Sequence, residues 1–398
     1  MLFQYLLATL PLALAGPVIK PRAPVITPRE GRIIPDKYIV KFKNDALGDV
    51  LNKAIEFLNK EPEHIYGFAG YKGFAAEFKE DILDLITALP GVDYVEKDAI
   101  MTANLGLQSR AEETQSDAPW GLARLSSAEP GTTTYNYDSS AGEGSCAYII
   151  DTGIFVDHPE FEGRAEWLQN FAGDGDDTDG NGHGTHCAGT IGSKTYGVAK
   201  KTKLFAVKVL DAEGSGSNSG VIAGIQFAAK DQKNRTECSK GSVANLSLGG
   251  PQSQMVNDAA ANAVKDGLFM AVAAGNEGED ASNSSPASEK TVYTVGATDI
   301  NDQIADFSNF GKFVDILAPG VDILSTWNDG KTNTISGTSM ATPHVAGLAA
   351  YILALEGKKS VADLSSRLSE LATKDVLKGL PNGTVNALAF NGITASSS

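Results

Sequence analysis

The chain has 398 residues, of which 42% are hydrophobic and 21% charged, an ordinary globular composition with room for a large core and an added module. Its formal net charge is −16, and the acid is concentrated late: from Ala111 onward there are 20 Lys and Arg against 35 Asp and Glu. That balance favours solubility and excludes nucleic acid or an anionic membrane as expected partners.

Residues 5–15 are an apolar run closing on Ala13-Leu14-Ala15. They read as a secretory signal peptide over residues 1–15, cut before Gly16, although no Lys or Arg precedes the run. A secreted, extracellular protein is expected. No later apolar run is expected to reach the roughly 18 residues that a membrane span requires. Residues 16–36 hold five prolines and read as a loose leader.

Patterning begins at Lys37. Strands are expected over 38–42, 73–78 and 92–96, with amphipathic helices over 47–58 and 82–89. This is a small α+β, ferredoxin-like module of about residues 36–100. Residues 101–118 turn polar and read as a linker. From Trp120 onward, β-rich runs at 146–151, 204–210, 243–248, 268–274 and 292–297 alternate with helical patterns at 184–193, 219–233 and 253–266. Near-continuous apolar strands separated by helices predict an α/β fold whose parallel sheet is covered on both faces. In such sheets a ligand sits beyond the C-terminal strand ends.

Residues 336–355, Ser-Gly-Thr-Ser-Met-Ala-Thr-Pro-His-Val-Ala-Gly-Leu-Ala-Ala-Tyr-Ile-Leu-Ala-Leu, predict a helix that is apolar almost all round and therefore buried. Ser339 at its start could be a helix cap. Gly337 admits close backbone approach, the helix N-terminus favours negative charge, and Pro343 cannot bond the Ser339 carbonyl. A nucleophile whose attack creates an oxyanion fits there, and it needs a base and a group to orient that base. Asp151 closes one apolar strand. His183 opens a helix after an acidic, glycine-rich loop, with His186 as a packed structural histidine. Asn276 ends another strand and can donate to an oxyanion.

Asp151-Thr152-Gly153, His183-Gly-Thr-His-Cys-Ala-Gly189 and Gly337-Thr-Ser-Met-Ala-Thr-Pro-His-Val-Ala-Gly347 occur in the order Asp, His, Ser. Over residues 118–390 the chain resembles the subtilisin family of serine proteases, and within it the secreted fungal proteinase K group. The resemblance implies a serine endopeptidase with Asp151, His183 and Ser339 as its triad. Asn276 and the Ser339 N–H would form the oxyanion hole. Gly214-Ser215-Gly216 and Ser247-Leu248-Gly249 would flank an extended peptide substrate. The latter segment, with Ala273-Ala274-Gly275, would wall an uncharged pocket favouring large apolar or aromatic residues; Glu277 lies close by.

The same resemblance makes residues 16–110 a propeptide, acting as an intramolecular inhibitor, and 111–398 the catalytic domain, released by a cut near Ala111. It pairs Cys146 with Cys238, whereas three cysteines alone permit three single bridges. It leaves Cys187 a free thiol. It offers calcium a structural site made of the Asp315 carboxylate and the Lys290 and Val292 carbonyls. The EF-hand-like opening at Asp177 is rejected, because its twelfth position is Ala188. Asn234, Asn283 and Asn382 lie in Asn-x-Ser/Thr sequons and are expected glycosylation sites, whereas Asn245, also in a sequon, belongs to an expected buried strand and is expected to be unmodified. A monomer acting on proteins and peptides is expected. An inactive protease-fold binding protein and an esterase are the competing readings.

Overall fold

The structure, a computed structural model, describes residues 22–28, 33–46, 48–68, 70–103 and 118–393. The expected signal peptide and the expected cut near Ala111 lie outside the described residues.

The N-terminal module runs β1 (Ile33–Phe42), α1 (Gly48–Leu58), β2 (His64–Phe68), β3 (Tyr71–Glu77), α2 (Glu80–Thr87) and β4 (Val92–Ala103). Its four strands are antiparallel in the order β4-β1-β3-β2, the ferredoxin-like arrangement. Strand alternation gives it two apolar faces. Val40, Phe42, Phe74 and Val95 face its own helices. Ile39, Tyr66, Tyr71 and Tyr94 point away and join the core of the second domain.

Two expectations need correcting. Part of the leader is ordered: Val25–Ile26 pairs in parallel with Val95 and Glu96. The third strand of the module does not stop where the sequence turns polar, because β4 continues to Ala103. Pairing with distant chain, described below, holds that extension; local propensity does not.

The second domain contains β5 (Ser145–Asp151), β6 (Ala165–Asn170), α3 (His183–Gly192), β7 (Lys203–Lys208), β8 (Ser215–Ser217) and α4 (Asn218–Asp231). It continues through β9 (Gly241–Leu246), β10 (Leu248–Pro251), α5 (Gln254–Lys265), β11 (Phe269–Ala273), β12 (Tyr293–Thr298) and β13 (Ile316–Pro319). The hairpin β14 (Ile323–Thr326) and β15 (Thr332–Ile335) precedes α6 (Thr338–Glu356) and α7 (Val361–Leu371). Eight described strands are parallel, seven of them in the order β6-β7-β5-β9-β11-β12-β13 and the short Ala387–Leu388 beyond β13. Ala147 and Ile149 of β5 enter the core beneath α3 and α6, while Tyr148 and Ile150 enter the one beneath α4 and α5. Both faces are thus covered, which is why the strand reads as an unbroken apolar run.

Helix α6 spans 19 residues, has a mean hydropathy of 1.2 and is 94% buried. By length and composition it could cross a bilayer, so the expectation that no later run reaches that size was wrong. Burial between the sheet and α3 explains its composition instead. Cys146 at the start of β5 is bridged to Cys238, with Cα atoms 5.4 Å apart, and Cys187 is a buried free thiol. Strand order reverses between β5 and β9, so Asp151 and Ser247 emerge at the switch point where open α/β sheets bind ligands.

Candidate active site

Asp151 and His183 are both wholly buried. Asp151 Oδ1 lies 2.7 Å from His183 Nδ1 and also accepts the Thr152 N–H at 2.7 Å. Helix α3 reaches this position because Gly184 allows it. A Cβ at Gly184 would lie 2.1 Å from the Gly153 carbonyl oxygen. His183 Nε2 has no partner among the described residues. His186, three residues on, donates from Nε2 to the Ile323 and Asn333 carbonyls across the hairpin (2.9 and 3.2 Å), and burial pushes its pKa down to about 3.

Ser339 sits in the first turn of α6, where its N–H has no intrahelical acceptor. Pro343 leaves the Ser339 carbonyl without its usual helical donor. The Ser247 hydroxyl takes that place at 2.7 Å, with the Cys187 thiol at 3.5 Å. In return the Ser339 hydroxyl donates to the Ser247 carbonyl at 3.0 Å rather than to His183. This exchange explains another difference from the sequence reading. The run 243–248 is not one strand: it breaks at Ser247, whose polar groups are committed to Ser339.

Asn276 follows β11. Its Oδ1 accepts the Thr338 N–H and hydroxyl, both at 2.9 Å. The backbone N–H can only donate, so the amide orientation is fixed. Its buried Nδ2 has no partner among the described residues. Gly275 has φ +109°, and a Cβ there would meet Asn309 Nδ2 at 2.2 Å and Glu277 Oε2 at 2.6 Å. The exposed Glu277 carboxylate is held by Asn309 Nδ2 at 2.7 Å.

The extended end of β4 runs between two edges. On one side Ile100, Met101 and Thr102 pair antiparallel with Ser217, Gly216 and Ser215 of β8. On the other, Thr102 and Ala103 pair with Gly249 and Leu248 of β10. Gly214, with φ +74°, turns the chain into β8. Ala273 and Ala274 are buried beside this site.

Asp315, just before β13, accepts the Thr294 N–H at 2.8 Å. The residues after Val292 therefore run beside it, with Lys290 exposed. Desolvation raises the Asp315 pKa to about 6, and no cation among the described residues offsets it. Asn234, Asn283 and Asn382 are exposed, and Asn245 is buried.

A sequence model described as the subtilase family matches residues 142–387, and one described as peptidase inhibitor I9 matches residues 37–104. The chain belongs to the subtilase family. A cuticle-degrading protease of Metarhizium anisopliae is 54% identical over 391 residues, covering 97% of this chain and 98% of the relative. Proteinase T of Parengyodontium album is 62% identical over 300 residues, covering 75% and 99%. A crystal structure of a cold adapted subtilisin-like serine proteinase aligns with a TM-score of 0.66 and 44% identity, covering 69% of this chain and 99% of that one. This subtilase is a serine endopeptidase with an I9 propeptide domain, which implies peptide substrates and an intramolecular inhibitor.

The propeptide docks through carboxylates that the sequence reading overlooked. Glu96 is wholly buried, accepting the Ser253 hydroxyl and, at 3.2 Å, the Met255 N–H at the start of α5. Asp98 accepts the Ser219 hydroxyl at 2.6 Å and N–H at 3.2 Å at the start of α4. The helix N-termini favour both anions. Desolvation outweighs those donors, raising the Glu96 pKa to about 7 and that of Asp98 as well. His64 at the same interface shifts down, chiefly by burial and then by Lys37.

A carboxyl raised on docking binds a proton more tightly docked than free. Between its ordinary value of 4.5 and about 7, only the released Glu96 ionises, so rising pH favours release, and above 7 the full shift opposes docking. His64 works in the opposite sense, weakening docking as pH falls through its free value of 6.5. The separated propeptide should bind a Ser339→Ala catalytic domain about fourfold more weakly at pH 8 than at pH 6.5, and Glu96→Gln should flatten that slope. Titration calorimetry giving the same slope for Glu96→Gln would contradict this.

Proposed function

We propose that Ser339 attacks the scissile carbonyl while His183 Nε2 takes its proton, with Asp151 orienting the ring and stabilising the imidazolium. The observation that carries this is a pair of buried atoms with no partner among the described residues: the His183 Nε2, able to accept, and the Asn276 Nδ2, able to donate. Proton transfer requires the Ser339 hydroxyl to leave the Ser247 carbonyl and turn to Nε2, a bond that forms when substrate is seated. The tetrahedral oxyanion receives the Ser339 N–H and Asn276 Nδ2. The acyl-enzyme is then hydrolysed by the same groups in reverse roles.

A peptide substrate would lie as an extended strand between Gly214-Ser215-Gly216 and Ser247-Leu248-Gly249, where the end of β4 lies in the uncut chain. Main-chain pairing gives affinity with little side-chain choice. A pocket walled by Ala273, Ala274 and Gly275 favours large apolar or aromatic residues, since the Glu277 carboxylate is engaged by Asn309. A peptide library should show broad cleavage after such residues; a strong preference for Lys or Arg would refute the uncharged pocket.

The Asp315 carboxylate, crowded and without a described cation, with the Lys290 and Val292 carbonyls, forms a hard-oxygen set suited to calcium, which would brace the loops before β12 and β13. Secretion, release of the mature chain near Ala111 and glycans on Asn234, Asn283 and Asn382 complete the reading.

Asn276→Ala should lower kcat about 10²- to 10³-fold with little change in KM, the magnitude of a related subtilisin. Asn276→Asp, which keeps the acceptor for Thr338 but has no donor, should lose as much. Full activity in Asn276→Asp would remove this residue from the oxyanion hole. The proposal as a whole is tested by an organofluorophosphonate: its adduct should map to Ser339 by mass spectrometry, and a peptide anilide should be turned over far better than a lipid ester. An adduct elsewhere, or the reverse preference, would overturn it.

A further inference from the structure

Of the four aspartates in the loop before α3, Asp174, Asp176 and Asp177 are exposed, whereas Asp179 is buried. Its Oδ1 accepts the Thr152 hydroxyl at 2.8 Å and the N–H groups of Gly182 and Asn181 at 2.8 and 3.2 Å. Its Oδ2 accepts the Thr185 N–H at 2.9 Å and hydroxyl at 2.5 Å. A simple helix cap would bond only the first turn of α3. Asp179 also reaches the neighbour of Asp151 on a different element. Thr152 is held from two further sides: its hydroxyl accepts the Gly184 N–H at 2.9 Å, and its carbonyl accepts the buried Lys208 ammonium at 3.1 Å.

We propose that Asp179 is a positioning residue that clamps the strand end bearing Asp151 to the helix start bearing His183, and so sets the contact between them. The inference rests on the triad reading above. Gly182 and Thr185 flank His183, and Thr152 follows Asp151, so one carboxylate touches both sides of the 2.7 Å Asp151–His183 bond without touching either residue. Both Asp179 oxygens face backbone N–H groups, which cannot reverse. An amide at 179 must therefore turn its NH₂ toward an N–H, so Asp179→Asn breaks the clamp while preserving its volume.

The test compares matured Asp179→Asn with Asp302→Asn, which breaks the buried Arg124–Asp302 pair in another part of the domain. Asp179→Asn should lower kcat on a peptide anilide by about 10- to 100-fold with KM nearly unchanged, as a displaced catalytic contact does. The acid limb of its kcat/KM profile should move, and the low-field proton resonance of the His183 Nδ1–H should shift or vanish. Asp302→Asn should lower Tm and leave all three readouts in place. If Asp179→Asn does not mature, the resonance is read on the uncut chain against uncut Asp302→Asn. An unchanged kcat, acid limb and resonance in Asp179→Asn would overturn the proposal, and so would the same changes in Asp302→Asn at equal loss of Tm. Activity surviving in Ser339→Ala would sink the triad reading itself; a dead Ser339→Ala beside an unaltered Asp179→Asn would sink only this inference.

Discussion

Ser339→Ala turns over a peptide anilide about 10⁶-fold more slowly than the parent chain, with a residue of catalysis above water. That is the loss seen when the nucleophile of a related subtilisin is removed, the remainder coming from the oxyanion hole and binding. The stability change is small by comparison. The Ser339 hydroxyl makes one described bond, to the Ser247 carbonyl, whereas the bonds to its own carbonyl involve backbone and survive. Organofluorophosphonate labelling should disappear and Tm should barely move. Undiminished turnover in this variant would end the assignment of Ser339 as nucleophile.

Asp151→Ala should cost about 10⁴- to 10⁵-fold in kcat, because it leaves the Thr152 N–H and the His183 Nδ1–H without their shared acceptor. Asp151→Asn should be milder. The Thr152 N–H, 2.7 Å from Oδ1, keeps the amide oxygen at that position. The ring then retains the tautomer that leaves Nε2 free to accept, and only the negative charge is lost. Comparing kcat of the two variants separates orientation from charge. If Asp151→Asn were as slow as Asp151→Ala, the amide would have turned and the tautomer with it.

Much of this site is legible in the primary structure, because its parts sit where strands end and helices start. Asp151, Asn276 and Ser339 each close or open an apolar run, and Gly184 and Gly275 mark close approaches. The Cys146–Cys238 bridge follows from family resemblance; cysteine count alone left three choices. Other features depend on distant partners and leave no periodic trace. Residues 101–103 are strand only because β8 and β10 supply donors and acceptors from over a hundred positions away. The break at Ser247 is set by Ser339, and the inward turn of Asp179 by Thr152. Strand β6 was missed because it is a half-buried edge, and α7 because its apolar stripe is narrow, although Ser360 caps it through the Asp363 N–H.

Helix α6 has no polar side to leave in water. It finds a stable place only once sheet and helices have closed over it from both directions, so a partly folded chain exposes a sticky rod rather than an assembled enzyme. The Ser339 hydroxyl, one residue into that rod, can reach the Ser247 carbonyl only when helix and sheet are packed together. The placement of that hydroxyl is thereby tied to the packed interior, while in the uncut chain the end of β4 still fills the space between β8 and β10.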